Sequence, residues 1–253
     1  RGFVRAPLLR GLNAPQRAAR KARVIAIGSA GSYTGCTMLS MNLAMELSIL
    51  EKSTLLIEGN YRAPSIAAYL AMRNINSDSE WKSIAPHLSL AEIDQEHAGT
   101  VDEFMDRAAE VFEFIIIDLG SISGLSNRLI DRRWTSTMTT WCCDQADELM
   151  IVSRADQLGG HRLSQVADLL QHTSVRASLS FVLNMKSPGK RGESEEAKFL
   201  SSTTALKPIR VRSITKDSRA IVAAEDEHAT LVEINVRSSV RKSIADLARE
   251  LKS

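Results

Sequence analysis

Nowhere in the 253 residues is there an apolar run approaching the roughly 20 that a membrane-spanning helix needs. The Arg-rich start has neither a long apolar stretch nor a cleavage site, so no secretory leader is expected. Cysteine is scarce, with only Cys36, Cys142 and Cys143. An odd count without a Cys-x-x-Cys pair speaks against a disulfide framework. A reducing cytoplasm is the compartment that fits. Five histidines (His87, His97, His161, His172 and His228) are scattered and show no metal-ligand spacing. No internal repeat is visible.

What is present is a chain of ordinary apolar and charged content, long enough to bury a core as one domain. The net charge of +2 conceals an asymmetry. Seven basic residues, from Arg1 to Arg23, precede the first acid, leaving 25 basic against 30 acidic residues in the rest. The body is therefore not an electrostatic nucleic-acid binder. Residues 1–22 read as a basic arm or linker, interrupted by Pro7 and Pro15, and 23–253 as one domain. An arm that mixes Arg with Phe3, Leu8 and Leu9 suits an anionic membrane surface or a nucleic acid, but a linker or a short segment packed on the acidic body is the favoured reading.

From Arg23 onward, strand and helix patterns alternate. Strands are expected at Val24–Ile27, Thr54–Ile57, Leu88–Ile93, Phe114–Ile117, Glu148–Val152, Leu179–Leu183 and Ile209–Val211. Helices are expected at Thr37–Leu50, Ala63–Ala71, Val101–Val111, Gly160–His172, Asp217–Glu225 and Val240–Leu251. Ser187–Ala197, polar and carrying Pro188, Gly189 and Gly192, reads as an exposed mobile loop. Alternation of this kind implies an α/β fold, a mainly parallel twisted sheet with helices on both faces. Ligands of such folds bind at the carboxyl ends of the strands. The loops after Ile27, Ile57 and Ile117 are therefore where chemistry is expected.

The first loop, Gly28-Ser29-Ala30-Gly31-Ser32-Tyr33-Thr34-Gly35-Cys36-Thr37, leaves a strand and opens a helix. Its small residues, Gly31 and Gly35 among them, let backbone N–H groups approach a phosphate at a helix N-terminus. A P-loop places Lys after its last Gly, followed by a Mg²⁺-binding Ser or Thr. Thr37 fits, but Cys36 stands where that Lys belongs, and the loop holds no lysine at all. Asp118, ending an apolar strand next to this loop, suits Mg²⁺ coordination through its water shell.

With Leu55-Leu56-Ile57-Glu58-Gly59-Asn60-Tyr61-Arg62-Ala63-Pro64 and Ile115-Ile116-Ile117-Asp118 added, the chain resembles the MinD/ParA family of P-loop ATPases. The likeness runs from about Arg23 to the C-terminus. It includes Phe181-Val182-Leu183-Asn184, similar to the strand whose Asn contacts adenine. It also includes Ile214-Thr215-Lys216-Asp217-Ser218-Arg219-Ala220, similar to the segment before a late helix. The resemblance implies a three-layer α/β/α P-loop NTPase; ATP or ADP with Mg²⁺ is the expected cofactor, with no nucleotide at all as the alternative. Gly31, Gly35, Cys36, Thr37, Asn184 and Asp217 then lie at the nucleotide, and Thr37 and Asp118 at Mg²⁺. Glu58 takes the place of the family's Asp that positions the attacking water, and Asn60 the place of a second Asp.

The departures carry as much information as the matches. Each lost charge-assisted phosphate contact is worth roughly 1.5–3 kcal/mol in binding. Deleting one transition-state electrostatic group costs ~10²–10³ in rate. A cation from elsewhere, Arg62 for instance, is a candidate replacement. The resemblance thus leaves several readings open. One is a scaffold or localisation factor of division, pilus or secretion machinery with weak or no ATP hydrolysis. A second is a weak but genuine ATPase acting as an ATP-dependent dimer switch. A third is an unrelated activity on the same fold. Family members with eroded loops resemble localisation proteins of Tad-type pili. The basic, aromatic-containing start resembles, slightly, MinD-like proteins of type VII secretion. Protein partners, a homodimer and a cytoplasmic location, peripheral to the membrane if residues 1–22 bind it, complete the expectation. Trp134 and Trp141 flank a Thr/Ser-rich stretch that fits either the family's dimer face or local core packing.

Overall fold

The computed structural model describes residues 21–253 except 74, 76–79, 94–100, 124, 131–132 and 174. Apart from Lys21 and Ala22, the expected basic arm lies outside the described residues.

Three strands form the centre of the sheet: β1 (Arg23–Ser29), β5 (Phe114–Ser121) and β6 (Glu148–Arg154). Each is buried along almost its whole length. That is what near-continuous apolar runs do when helices cover both faces of a parallel sheet. Around them lie β2 (Thr54–Glu58), β3 (Lys82–Ala85), β4 (Leu88–Glu92), β7 (Ser178–Lys186) and β8 (Arg210–Thr215). The order is β3-β4-β2-β5-β1-β6-β7-β8, all parallel except the edge strand β3, which pairs antiparallel with β4. The strand order reverses at β1, and the loop after β1 sits where such sheets bind ligands.

Alternate residues of each strand feed two cores. Ala26, Ile57, Ile117 and Ile151 face one side and pack with Phe104, Trp141, Leu163 and Phe199. Ile27, Leu56, Ile116 and Val152 face the other and pack with Leu39, Leu43, Ile244 and Leu247. The first side is covered by α3 (Val101–Val111), α5 (Trp134–Gln145), α6 (Gln157–His172) and α7 (Gly189–Thr203). The second is covered by α1 (Cys36–Ile49) and α10 (Ser239–Lys252). Shorter helices are α2 (Ile66–Tyr69), α4 (Leu125–Ile130), α8 (Ser218–Asp226) and α9 (Leu231–Ile234). Helix α1 is buried over most of its surface because α10 lies over it. Among the described residues no helix is long and apolar enough to cross a membrane.

One expectation is overturned. The segment read as a mobile loop, Ser187–Ala197, is for the most part α7. Pro188 takes the N-cap position, outside the helical ladder, where its missing N–H costs nothing. Gly192 presses so closely on the Ser187 carbonyl that no side chain fits there. Glu195 then accepts from the Ser187 N–H at 2.8 Å and its hydroxyl at 2.9 Å, tying the helix back to its own start.

Candidate functional site

The loop after β1 is built almost entirely from backbone and small side chains. Ser29 Oγ donates to the Gly31 carbonyl at 2.6 Å and closes the loop on itself. Gly35 adopts φ 78° as the N-cap of α1 and offers no side chain to the first turn. The first N–H groups of α1 therefore lack the usual capping partner. The residues that carry them, Cys36, Thr37 and Met38, border the loop cavity, as an anion site at a helix start requires. Tyr33, at φ 57°, is 85 % exposed at the loop tip.

Cys36 begins the helix but does not reach outward. Its buried thiol donates to Asp118 Oδ1 at 3.2 Å and lies 3.4 Å from the Ile27 carbonyl. Burial first, then the Asp118 charge, raise its pKa well above the ordinary thiol value, so it stays neutral. Asp118 is fully buried at the β1–β5 junction, where Ile27 pairs with Asp118 and Gly28 with Gly120. That one-residue irregularity aims the carboxylate at the loop. Gly120, at φ 59°, makes the turn possible, with Asn60 packed where a side chain would be. Its N–H donates to Asp118 Oδ1 at 3.1 Å. Among the described residues Asp118 Oδ2 has no hydrogen-bond partner. Burial raises the Asp118 pKa against the opposing pull of the neighbouring Thr37 hydroxyl, the Gly120 N–H and the Cys36 thiol.

An orphaned, buried carboxylate oxygen beside a threonine hydroxyl is the donor set a hard cation takes. Thr37 itself lies 3.3 Å from Ser65 Oγ. The pair Thr37 and Asp118 therefore fits Mg²⁺ on chemical grounds.

Glu58 follows a different logic. It pairs across β2–β5 with Asp118 and is 2 % exposed. Both its oxygens are engaged. Oε1 accepts from Asn60 N–H at 3.0 Å, and Oε2 from Ser65 and Ile66 N–H at 2.7 and 3.0 Å. Burial first, then the Asp118 charge, push its pKa up to about 7 against those three donors. The carboxylate thus anchors the turn and the start of α2. Asn60 donates in turn to the Ala63 carbonyl at 2.9 Å.

Two cavities meet at the loop and share Tyr33, Gly35 and Met38. On the side of the α1 start, about 350 Å³ are bounded by Gly31, Cys36, Thr37, Asn60, Arg62 and Gly120. On the other side, about 310 Å³ of largely apolar space lie among Met38, Leu39, Asn184, Ile214, Asp217 and Ile221. Such a volume suits a flat heterocycle. Asn184 is turned toward the loop: its Nδ2 donates to the Thr34 carbonyl at 2.8 Å and its Oδ1 accepts from Met185 N–H. Asp217 caps α8, accepting from Ala220 N–H at 3.2 Å.

The structure thus brings Gly31, Gly35, Cys36, Thr37, Glu58 and Asp118 around one cradle, with Asn184 and Asp217 around the adjoining apolar cavity. Trp134 stacks on Tyr61, with centroids 5.1 Å apart, and buried Trp141 donates to Asp102 at 2.7 Å. Arg162 of α6 went unnoticed in the sequence, yet its side chain lies against Gly31. No sequence signal reveals it, because packing of α6 on the loop brings it there.

A switch-point loop opening a helix, an orphaned acid at the end of the next buried strand and an adjoining apolar cavity define a P-loop α/β/α protein. Within that class the chain has the MinD/ParA-like fold. McdA from Cyanothece in its ATP complex superposes with TM-score 0.68 at 16 % identity, over 91 % of this chain and 96 % of that one. MinD from Aquifex aeolicus gives 0.67 at 18 %, over 91 % and 97 %. A ParA family ATPase from Chlorobium tepidum gives 0.64 at 18 %, over 91 % and 98 %. No family model and no curated protein sequence matches the chain.

Proposed function

We infer that the chain is a nucleotide-binding scaffold or localisation factor of the MinD/ParA type, with weak or no ATP hydrolysis. The observation that carries this reading is the buried, neutral Cys36 thiol at the start of α1. It directs its proton to Asp118 instead of a cation to a phosphate. Thr37 and Asp118 would hold Mg²⁺, which supplies charge neutralisation when bound. The loop N–H groups would hold the phosphates, and the apolar cavity the base. Glu58, occupied by three N–H donors, is poorly free to orient water. The similar structures support the ligand class: McdA is described with ATP, and a MinD from Pyrococcus horikoshii with Mg-ADP. A MinC:MinD complex among them supports a protein partner. A homodimer and machinery of division, pilus assembly or secretion complete the reading, with a membrane-peripheral role for residues 1–22.

Purified protein with Mg-ATP should bind nucleotide but turn it over no faster than the Thr37→Ala/Asp118→Ala double variant. Turnover clearly above that control would overturn the reading in favour of a weak ATPase and dimer switch. Arg62, bordering the phosphate-side cavity, is the observation that favours this second reading.

A further inference from the structure

Resting on the nucleotide-binding reading above, we propose that Arg162 is a phosphate-positioning residue. It reaches across from α6 to give the bound oligophosphate the positive charge that the loop itself lacks.

Three observations converge on this side chain. The first is its place. A Cβ built on Gly31 would lie 2.5 Å from Arg162 Cδ and 2.8 Å from Nη1, so the arginine rests directly on the backbone of the loop. A side chain at 31 would displace it. Arg162 also borders two small cavities with Ala30, Gly31 and Ser32, next to the larger cavity of the loop, which shares Gly31 and Ser32 with both. The second is its company. A guanidinium carries five N–H donors, yet Arg162 has no hydrogen-bond or ion-pair partner among the described residues. The nearby acid is already engaged: Asp156 pairs with Arg154 and caps α6 by accepting from Gly159 N–H at 2.7 Å. The loop carbonyls of Gly31 and Thr34 accept from Ser29 and Asn184.

The third is what is missing opposite it. The loop from Gly28 to Thr37 has no lysine or arginine, and the Cys36 side chain turns inward to Asp118. A half-buried guanidinium without an acceptor is an unfinished interaction. The ligand that completes it is an anion with several oxygens in a row, which the fork of an arginine recognises in pairs. An oligophosphate lying along the Gly31–Gly35 backbone meets that description.

The test is equilibrium binding by calorimetry on the full chain, comparing Mg-ATP with inorganic pyrophosphate. Three proteins are needed: wild type, Arg162→Ala and Arg162→Lys. Arg162→Ala is expected to weaken Mg-ATP and pyrophosphate roughly 10- to 100-fold, the worth of one charge-assisted contact. Arg162→Lys should recover most of that loss. The salt dependence of binding should be shallower in Arg162→Ala, since one screened charge pair is gone. A packing role would move neither the salt slope nor the lysine rescue. Wild-type-like affinity in Arg162→Ala, or a loss with unchanged salt slope and no lysine rescue, overturns the inference while nucleotide binding stands. If wild type binds neither Mg-ATP nor pyrophosphate at millimolar concentration, both readings fall together.

Discussion

Two buried carboxylates on adjacent strands, Glu58 and Asp118, form the pH-sensitive pair of the site. Glu58 titrates near 4.5 when free and near 7 in the fold, chiefly through burial and then through the Asp118 charge. Between those values the folded chain keeps a proton that the unfolded chain has released. The corresponding stability is complete below about pH 4.5 and is lost as pH rises through 7. Asp118 shifts in the same direction and adds to the trend. Denaturant unfolding without Mg²⁺ should therefore give a stability at pH 8 on the order of 1–3 kcal/mol below that at pH 5. Glu58→Gln keeps an oxygen for the Ser65 and Ile66 N–H groups and removes the charge. Its profile over this range should be flatter than that of wild type. Parallel profiles for the two proteins would refute the assignment.

At the scale of elements, α10 holds α1, and α1 opens directly from the loop after β1. The link is an ion pair: Arg241 Nε and Nη2 reach Glu46 at 2.5 and 3.0 Å, with the Glu46 side chain 6 % exposed. At the opposite end of the strands, buried Glu148 gathers Arg210, Arg23 and the Ser180 hydroxyl. Removing one partner of such a pair leaves an unpaired buried charge. Arg241→Ala should cost about 2–4 kcal/mol in urea unfolding, discounted slightly because the arginine keeps some solvent. Glu46→Gln/Arg241→Met, which removes both charges, should cost less than the single change. The strands and long helices were legible because their apolar periods are set by burial on two faces. Strand β3 was not: Lys82-Ser83-Ile84-Ala85 has no pattern, and it forms only because β4 offers an edge. Helix α7 was hidden by glycine and proline that serve its N-terminal packing, not a loop. Helix α5 was hidden by Thr and Ser, and it forms because Met138, Trp141 and Cys142 find a core. Within the site, Thr37 could be read from the P-loop spacing and Asp118 from the end of an apolar strand. The second duty of Glu58 and the reach of Arg162 come from packing alone.

For the whole molecule, the cradle and the apolar cavity lie where β1, α1, α8 and α10 converge. A ligand there binds the folded chain and not the unfolded one. It must therefore raise stability by RT ln(1 + [L]/Kd). With a dissociation constant of about 100 µM, 5 mM Mg-ATP contributes roughly 2 kcal/mol. In a chain of this length each kilocalorie moves the midpoint by about 2–4 °C, so a rise of some 4–8 °C is expected. The proton linkage at Glu58 and Asp118 sharpens this prediction. Near pH 6 Glu58 retains its proton, and a cation has less negative charge to neutralise. Near pH 8 Glu58 has released that proton, and bound Mg²⁺ offsets the negative charge added beside Asp118. The thermal shift produced by Mg-ATP should thus be larger at pH 8 than at pH 6. ATP with chelator in place of Mg²⁺ should lose this difference. So should the Asp118→Asn variant, which keeps the shape of the side chain. Equal shifts at both pH values in wild type would separate the metal from the carboxylate pair and place the cation elsewhere on the nucleotide.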